Sequence, residues 1–442
     1  MNRADTLAAL LEAARRAGAD AADAVLVHAA SLSVQRRLGT IEQLERAESV
    51  DLGLRVFIGQ RMAIVSGTDA DPKGFAALAE RAVAMARVVP EDRFAAIPEA
   101  PPPADAAALD LDDGQEPSAE ALLERAAAAE EAALAIAGVT NSEGAGAGWS
   151  RSSRALATSR GFFGEYARSM HSVSATALAG AGTGMQRDYD YTSAVHLADL
   201  EDAATIGRRA GEQAVARLNP TRPRSARLPV VYHPRVSASL LSHLANAING
   251  AAIARGTSFL KDAMGTAVMP AGMNLWDDPT RPRGLRSRPF DGEGQAGARR
   301  AIVQDGVLTT WLLDQRSAAQ LGLASTGHAA RGTSGPPSPS PSNLWLEPGT
   351  LTPEALMADI AEGLFVTELI GMGVNGVTGD YSRGAAGFMI RGGQLAEAVG
   401  EITIAGKLPE MFRAITAAND LRFRRGTDPP TPRVDGMTLA GS

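Results

Sequence analysis

The sequence predicts an α+β protein. We expect an N-terminal α/β region in which helices flank an antiparallel sheet, followed by a C-terminal, mostly antiparallel β domain with a few helices. Three observations favour this class: apolar residues recur at helical spacing near the N-terminus, short runs rich in β-branched residues follow along the chain, and 46 glycines with 25 prolines supply the many turns that strands require. Because 442 residues exceed what one core covers comfortably, we expect at least two domains, residues 1–220 and 221–442.

The first elements are a helix, an antiparallel sheet and a second helix. The first helix is predicted from apolar residues at helical spacing: Leu7, Leu10, Leu11 and Ala14. Four short β-rich runs follow the turn at Gly18: AVLVHA, SLSVQRR, SVDLGLRVFI and RMAIVSG. Asp71 then caps a helix that opens at Pro72 and runs to about Val88.

Residues 90–117 are rich in proline and acidic residues, which predicts a connector on the surface. Beyond it the same order returns in outline. Ser118 caps a helix that runs to about Ala137, alternating runs cover residues 154–178 and 184–196, and Asp199 with Asp202 starts a helix that ends before Asn219. One interpretation is that the two parts are structurally related, although no sequence identity between them is visible.

The C-terminal half is dominated by short apolar runs and turns, among them VVYH, NLWLEPG and LFVTELI. Two turn sequences, QDG at residues 304–306 and RGG at 391–393, predict β-hairpins. Near the start of this half, LLSHLANAING has the spacing of a buried helix, with one packed face made of Leu240, Leu241, Leu244, Ala247 and Ile248.

Composition excludes several kinds of site. The chain has no cysteine, which rules out disulfides, thiolate nucleophiles and every cysteine-ligated metal site. Its net charge of -7 argues against direct binding of nucleic acid, and no apolar run reaches the roughly 18 residues of a membrane span. The N-terminus is interpreted as an amphipathic helix and not a signal peptide, so we expect a cytoplasmic protein with no membrane contact.

Two glycine-rich stretches do not fit nucleotide sites. GMGVNG at residues 371–376 matches G-x-G-x-x-G, but turn and strand residues follow where a dinucleotide site needs a helix. GAGAG at residues 144–148 lacks the Gly-Lys-Ser/Thr of a phosphate-binding loop, and we interpret it as a turn between a helix and a strand.

Two further motifs are weak. The sequence around Ser382 approaches a serine-hydrolase elbow but has Asp380 where a glycine allows the strained turn, and nothing selects one of the six histidines as its base. Four carboxylates between residues 277 and 293 could hold a hard cation, but we interpret them as solvated turn residues: Asp277, Asp278, Asp291 and Glu293.

Several longer segments, taken in order, resemble the TldD/TldE (PmbA) family of peptidase-related proteins, once described as modulators of DNA gyrase. The segments that carry the likeness are VVYHPRVSASLLSHLANAINGAAIARGTSFL, STGHAARG, SNLWLEPGT, VTELIGMGVNGVTGDYSRGAAGF and EITIAGKLPEMFRAITAANDL. The strand-rich RVFIGQRMAIVSGT resembles the family's N-terminal region more loosely. The resemblance therefore covers nearly the whole chain.

The resemblance implies a zinc peptidase site in the TldD subunit, built from an H-E-x-x-x-H helix and a distant cysteine. In this sequence Ser242, His243 and Ala247 occupy the three motif positions, and no cysteine is present. Moving the alignment by one residue places Leu244 and Ile248 at the other two positions, which restores no ligand. No catalytic residue and no metal ligand are therefore assigned.

This departure implies a TldE/PmbA-type subunit, not catalytic alone, that pairs with a TldD-type subunit to process unfolded peptides. Zinc is then expected in the partner, and no cofactor in this chain. The implied peptide contacts are polar residues of the C-terminal loops: Arg331, Asn343, Asp380, Tyr381 and Arg383. Two alternatives remain: a homodimeric peptide-binding or gyrase-modulating protein without a role in proteolysis, and an independent hydrolase that uses Ser382 or His243.

Overall fold

A computed structural model describes residues 2–99 and 105–442. The α-helices are α1 (Arg3–Arg16), α2 (Phe75–Val88), α3 (Ala119–Leu134), α4 (Ala203–Ala216), α5 (Pro234–Ala247), α6 (Gly250–Ala254), α7 (Gln315–Leu321), α8 (Pro353–Met357) and α9 (Leu408–Arg413). In the described ranges, none of these helices is long and apolar enough to cross a membrane. Part of the predicted connector, residues 100–104, lies outside the described residues.

The strands of the N-terminal half are β1 (Ala21–Arg37), β2 (Thr40–Ile58), β3 (Arg61–Gly67), β4 (Val139–Thr158), β5 (Phe163–Ala179) and β6 (Gln186–Ala194). Those of the C-terminal half are β7 (Ala226–Tyr232), β8 (Leu275–Asp278), β9 (Arg300–Gln304), β10 (Val307–Leu308), β11 (Ala329–Ala330), β12 (Ser338–Pro339), β13 (Asn343–Leu346), β14 (Glu362–Ile370), β15 (Asp380–Arg391), β16 (Gln394–Lys407), β17 (Ile415–Ala417), β18 (Thr427–Asp428) and β19 (Pro432–Ala440). The predicted α+β class is confirmed.

The N-terminal half is one antiparallel sheet in the order β3-β2-β1-β4-β5-β6. It contains two units with the same element order: α1-β1-β2-β3-α2 and α3-β4-β5-β6-α4. The units join at the centre, where β1 pairs with β4. Helices α1 and α2 pack on the first unit, and α3 and α4 pack on the second. Asp71, Ser118 and Asp202 cap helical turns as predicted.

Two strand predictions in this half are wrong. The runs AVLVHA and SLSVQRR form one continuous strand, β1, because both pair with β2 and β4. The glycine-rich residues 144–148, interpreted as a turn, lie inside β4. Glycines alternate there with side chains on the buried face of the sheet: Ala145, Ala147 and then Trp149. The packing of every second residue against the core therefore outweighs the weak strand propensity of glycine.

Two main sheets form the C-terminal half, in the orders β16-β15-β14-β7-β19-β17 and β10-β9-β8-β13-β18. Most neighbours are antiparallel; β7–β14 and β13–β18 are parallel. Both predicted hairpins are present, β9–β10 and β15–β16. Their central residues, Asp305–Gly306 and Gly392–Gly393, have positive φ at both positions, which the right-handed twist of a tight hairpin requires.

Polar and aromatic contacts join the two halves. Arg168 of β5 donates to the carbonyl oxygens of Gly284 and Leu285, at 3.2 and 2.5 Å. The ring of Phe290 packs edge-on against Phe162 and Tyr166, each at 5.3 Å between centroids. Because these contacts are buried or half-buried, the C-terminal half is held in a fixed orientation against the N-terminal sheet.

Candidate functional site

Helix α5 carries the three motif positions and begins at a defined cap. The His233 ring accepts a hydrogen bond from the Arg235 amide at 3.2 Å, and Pro234 occupies the first turn. The predicted packed face is confirmed, since Leu240, Leu241, Leu244, Ala247 and Ile248 are each at most 4% exposed. The helix is therefore anchored in the C-terminal core by apolar contacts that do not involve a metal.

The outer two motif positions, Ser242 and Ala247, carry no metal ligand. Ser242 is exposed, and its hydroxyl donates to the Ala238 carbonyl oxygen at 3.0 Å within the helix. Ala247 faces the core. A hydroxyl facing solvent and a buried methyl group do not fit a zinc ion, which needs nitrogen, sulfur or carboxylate ligands on one side.

His243 lies between these two residues and contacts β15. Its ring packs edge-on against Tyr381, with 6.1 Å between ring centroids and 74° between planes. The buried Nε2 atom has no hydrogen-bond partner among the described residues. Burial lowers the pKa of His243, and the positive charge of Arg383 lowers it further. His243 is therefore a neutral imidazole at pH 7, without a carboxylate to make it a stronger base.

Asp380, Tyr381 and Arg383 lie at the start of β15, where side chains alternate between the two faces of the sheet. Tyr381 and Arg383 are buried and face α5, whereas Asp380 is exposed and accepts a hydrogen bond from the Thr378 hydroxyl at 2.5 Å. Burial raises the pKa of Tyr381 to about 12 despite the nearby Arg383. The structure thus brings His243, Tyr381 and Arg383 together.

Arg331 lies elsewhere, in a buried ionic network between the two halves. Its guanidinium donates to Asp23 at 2.6 Å, and Asp23 also accepts from Arg55 at 2.9 Å. The carboxylate of Glu293 lies 4.0 Å from Arg55. These contacts give Arg331 a structural role at the interface; its predicted contact with peptide remains a prediction.

Asn343 has local hydrogen bonds at both ends of its side-chain amide. Its amide donates to the Asp278 carbonyl oxygen at 2.7 Å and to the Ser287 hydroxyl at 2.8 Å, and its oxygen accepts from the Arg286 amide at 2.9 Å. These bonds hold the 284–288 loop against β13. The predicted peptide contact of Asn343 likewise stays a prediction.

Three of the four carboxylates interpreted as solvated turn residues are buried, and the fourth is half-buried. Asp277, Asp291 and Glu293 are at most 3% exposed, and Asp278 is half-buried. Asp277 accepts from His328 at 3.1 Å and from the Ser342 amide at 2.7 Å. Asp291 accepts three backbone amides at 2.8–3.0 Å. The interpretation was wrong because these loops fold back so that their amide groups converge on the carboxylates.

These carboxylates do not form a metal site either. Within residues 2–99 and 105–442, no three His, Asp or Glu side chains are grouped so that they could hold a metal ion. The sequence contributes no cysteine to such a group. The donor set of this chain therefore does not fit the zinc centre that the resemblance implies for a catalytic subunit.

Comparison with known proteins decides the family. The PmbA/TldA metallopeptidase domain 1, central domain and C-terminal domain match residues 22–86, 112–218 and 225–441. The chain belongs to the PmbA/TldD metallopeptidase family. It is 35% identical to Metalloprotease PmbA of Escherichia coli O157:H7, over 96% of this chain and 92% of that protein. It is 33% identical to the Metalloprotease PmbA homolog of Haemophilus influenzae, over 98% and 94%.

Solved structures of PmbA/TldD-like proteins share the whole fold. A candidate modulator of DNA gyrase from Bacteroides thetaiotaomicron is 25% identical, with a TM-score of 0.86 over 99% of both chains. TldE from Thermococcus kodakarensis is 20% identical, with a TM-score of 0.87 over 99% of this chain and 100% of that one. At that identity the second likeness concerns the fold alone.

One feature of this PmbA/TldD chain was not predicted. The last residue of β14 and the loop between β14 and β15 expose three apolar side chains near the buried Tyr381 and Arg383. They are Ile370, Met372 and Val377, which are 59%, 83% and 55% exposed. The signal was present in GMGVNGVTG, where apolar residues alternate with glycines that give no core position for them. Exposed apolar groups of this kind are typical of contact surfaces.

Proposed function

We propose that this chain is a non-catalytic, TldE/PmbA-type subunit of a cytoplasmic metallopeptidase, and that it pairs with a TldD-type subunit that carries the zinc. The observation that supports the proposal is the state of α5. The helix keeps its buried face, but Ser242 and Ala247 supply no metal ligand. Hydrolysis by a zinc-bound water then needs an ion held by another polypeptide.

We further propose that unfolded peptide passes the surface formed by the β14–β15 loop and the start of β15. Exposed Asp380 offers a carboxylate to peptide amide or basic groups, and Met372 offers an adaptable apolar contact. Tyr381 and Arg383 are buried beneath this loop. They therefore support the loop, and they can contact peptide only at the edge of the loop. Arg331 and Asn343 are already bonded elsewhere, which makes them weaker candidates.

The test is to purify the chain alone and together with a TldD-type protein, and then to measure zinc content and cleavage of an unstructured peptide. We expect cleavage and zinc only when the TldD-type protein is present. Met372→Ser in this chain is expected to raise the KM of the pair for peptide and to leave zinc content unchanged, with Leu323→Ser, also exposed but remote in sequence, as the matched control. Stoichiometric zinc and cleavage by the isolated chain would overturn the proposal.

A second candidate function follows from the likeness to a candidate gyrase modulator. In that case the chain is a homodimeric peptide-binding or gyrase-modulating protein without a part in proteolysis. Purification from the native cell separates the two. Recovery of gyrase without any TldD-type protein favours the second function, and recovery of a TldD-type protein favours the first.

A further inference from the structure

The N-terminal sheet has an edge that is only partly covered. Strand β2 pairs with β1 along its whole length, from Thr40 to Phe57. On its other side, β3 pairs only with Leu52–Ile58. Among the described residues, no strand pairs with the outer side of residues 40–51. This part of β2 therefore presents unpaired backbone groups on its outer side, which is the template that another strand needs.

The centre of this segment contains no proline and no bulge, and its protection as a free edge is the charge of Glu45, Arg46 and Glu48. Residues 43–51 contain no proline and no glycine, and they pair in a regular register with β1. The one irregularity is an extra residue at Glu42, where the register shifts. Residues 40–49 are all exposed. A long, regular and exposed edge of this kind favours pairing with a further strand.

The sequence of the edge is complementary to itself. In an antiparallel pair related by a two-fold axis through Ala47, Arg46 lies opposite Glu48 twice, and Leu44 lies opposite Val50 twice. All four of these residues project from the same face of the sheet as the helices, since their partners on β1 include Leu32 and Val34. This face of the joined sheet then carries two Arg46–Glu48 pairs side by side at the axis, with one Leu44–Val50 pair beyond them on each side.

Other symmetric registers are poorer. An axis at Glu45, Arg46 or Glu48 places that charged residue opposite its own copy, which is repulsive. An axis at Ser49 brings no opposite charges together, and the paired segment would extend to Leu52, which already pairs with β3. The register at Ala47 uses residues 43–51, which end where β3 begins on one side and where the Glu42 bulge bends the strand on the other.

We propose that residues 43–51 of β2 pair with the same residues of a second copy of this chain, so that two N-terminal sheets join into one continuous antiparallel sheet. The occupant is a second copy because, within the regular residues 43–51, the register at Ala47 alone brings opposite charges together. This inference is independent of the proposed pairing with a zinc-bearing subunit, which rests on the state of α5.

A single cysteine tests the register, because the natural chain has none. Ala47→Cys places two cysteines directly opposite each other, with Cα atoms about 4.5–5.5 Å apart, which is inside the roughly 4.4–6.8 Å that a disulfide spans. Ser49→Cys is the matched control: its two copies would lie about 14 Å apart along the strands, at about 3.4 Å per residue. We expect a covalent dimer from Ala47→Cys under mild oxidation and none from Ser49→Cys.

Charge reversal tests the pairing without a new covalent bond. Arg46→Glu or Glu48→Arg replaces two attractive pairs with two repulsive ones, and we expect each to weaken the dimer by about tenfold or more in sedimentation velocity. The double variant, Arg46→Glu with Glu48→Arg, restores the pairs and the dimer. Circular dichroism confirms that each variant is folded. A monomer at all micromolar concentrations, equal crosslinking at residue 49, or an edge occupied only by a TldD-type protein would overturn the proposal.

Discussion

Glu293 gives the sharpest prediction about stability, because its carboxylate is buried at the junction of the two halves. Its Oε2 accepts the Gln315 amide at 2.8 Å, and its nearest cation, Arg55, is 4.0 Å away and already bonded to Asp23. Burial raises the pKa of Glu293 from 4.5 to about 8, and the negative charge of Asp291 adds to the effect. The folded state therefore prefers protonated Glu293.

The sign and size of the effect follow from linkage. Since the pKa is higher in the folded state than in the unfolded state, the stabilising contribution of Glu293 is complete below about pH 4.5 and is lost as the pH rises through about 8. The difference between the two pKa values, 8 − 4.5 = 3.5, corresponds to a ceiling of about 5 kcal/mol at 1.36 kcal/mol per pKa unit. Relaxation around a buried charge reduces this, so we expect roughly 2–5 kcal/mol.

The variant Glu293→Gln cannot ionise and so lacks this pH dependence. Urea unfolding between pH 5 and pH 9 is expected to show the variant gaining stability over the natural chain as the pH rises, by roughly 2–5 kcal/mol in total. Glu131→Gln, at a carboxylate that is 66% exposed, is the control and should follow the natural chain. A difference between Glu293→Gln and the natural chain that stays constant across this pH range would refute the reasoning.

Two further predictions concern the candidate site and the N-terminal helices. Arg383→Met removes a charge that lowers the pKa of His243, so an NMR titration of that ring should show a higher pKa, whereas Arg383→Lys should not; an unchanged pKa in the methionine variant contradicts the assignment. Gly207→Ala would place its Cβ 1.8 Å from the Ala129 carbonyl oxygen and push α4 from α3, lowering the free energy of unfolding by about 2 kcal/mol or more. Gly184→Ala, which meets nothing within 4 Å, should change it by less than about 0.5 kcal/mol.

Features that depend on a few neighbouring residues, such as helix caps, the apolar face of a helix and tight turns, could be predicted from the sequence. The caps at Asp71, Ser118 and Asp202 were found because a side-chain oxygen that accepts a helical amide is encoded within three residues. The buried face of α5 was found because its apolar spacing repeats at the helical period. The two tight hairpins were found because few residues adopt positive φ.

Contacts between residues far apart in the sequence were not predictable in the same way. Nothing near His243 announces that its ring meets Tyr381, since that contact depends on how α5 packs across β15. The burial of Asp277 and Glu293 was missed for the same reason: the groups that stabilise them, such as His328 and the Gln315 amide, come from other loops. The sequence shows where the carboxylates are, but only the tertiary structure shows which amides donate hydrogen bonds to them.

The structure of α5 explains how a subunit of this family can lack metal ligands and keep its fold. The helix is held by a cap at His233 and by an apolar face, both separate from Ser242 and His243. Ser242 is exposed, so substitution there changes little in the core. Ala247 is buried, and its methyl group fills core space that a ligand side chain would have to leave. The scaffold of α5 therefore does not depend on a metal ligand at either position, and Ala247 is part of the packing that holds the helix.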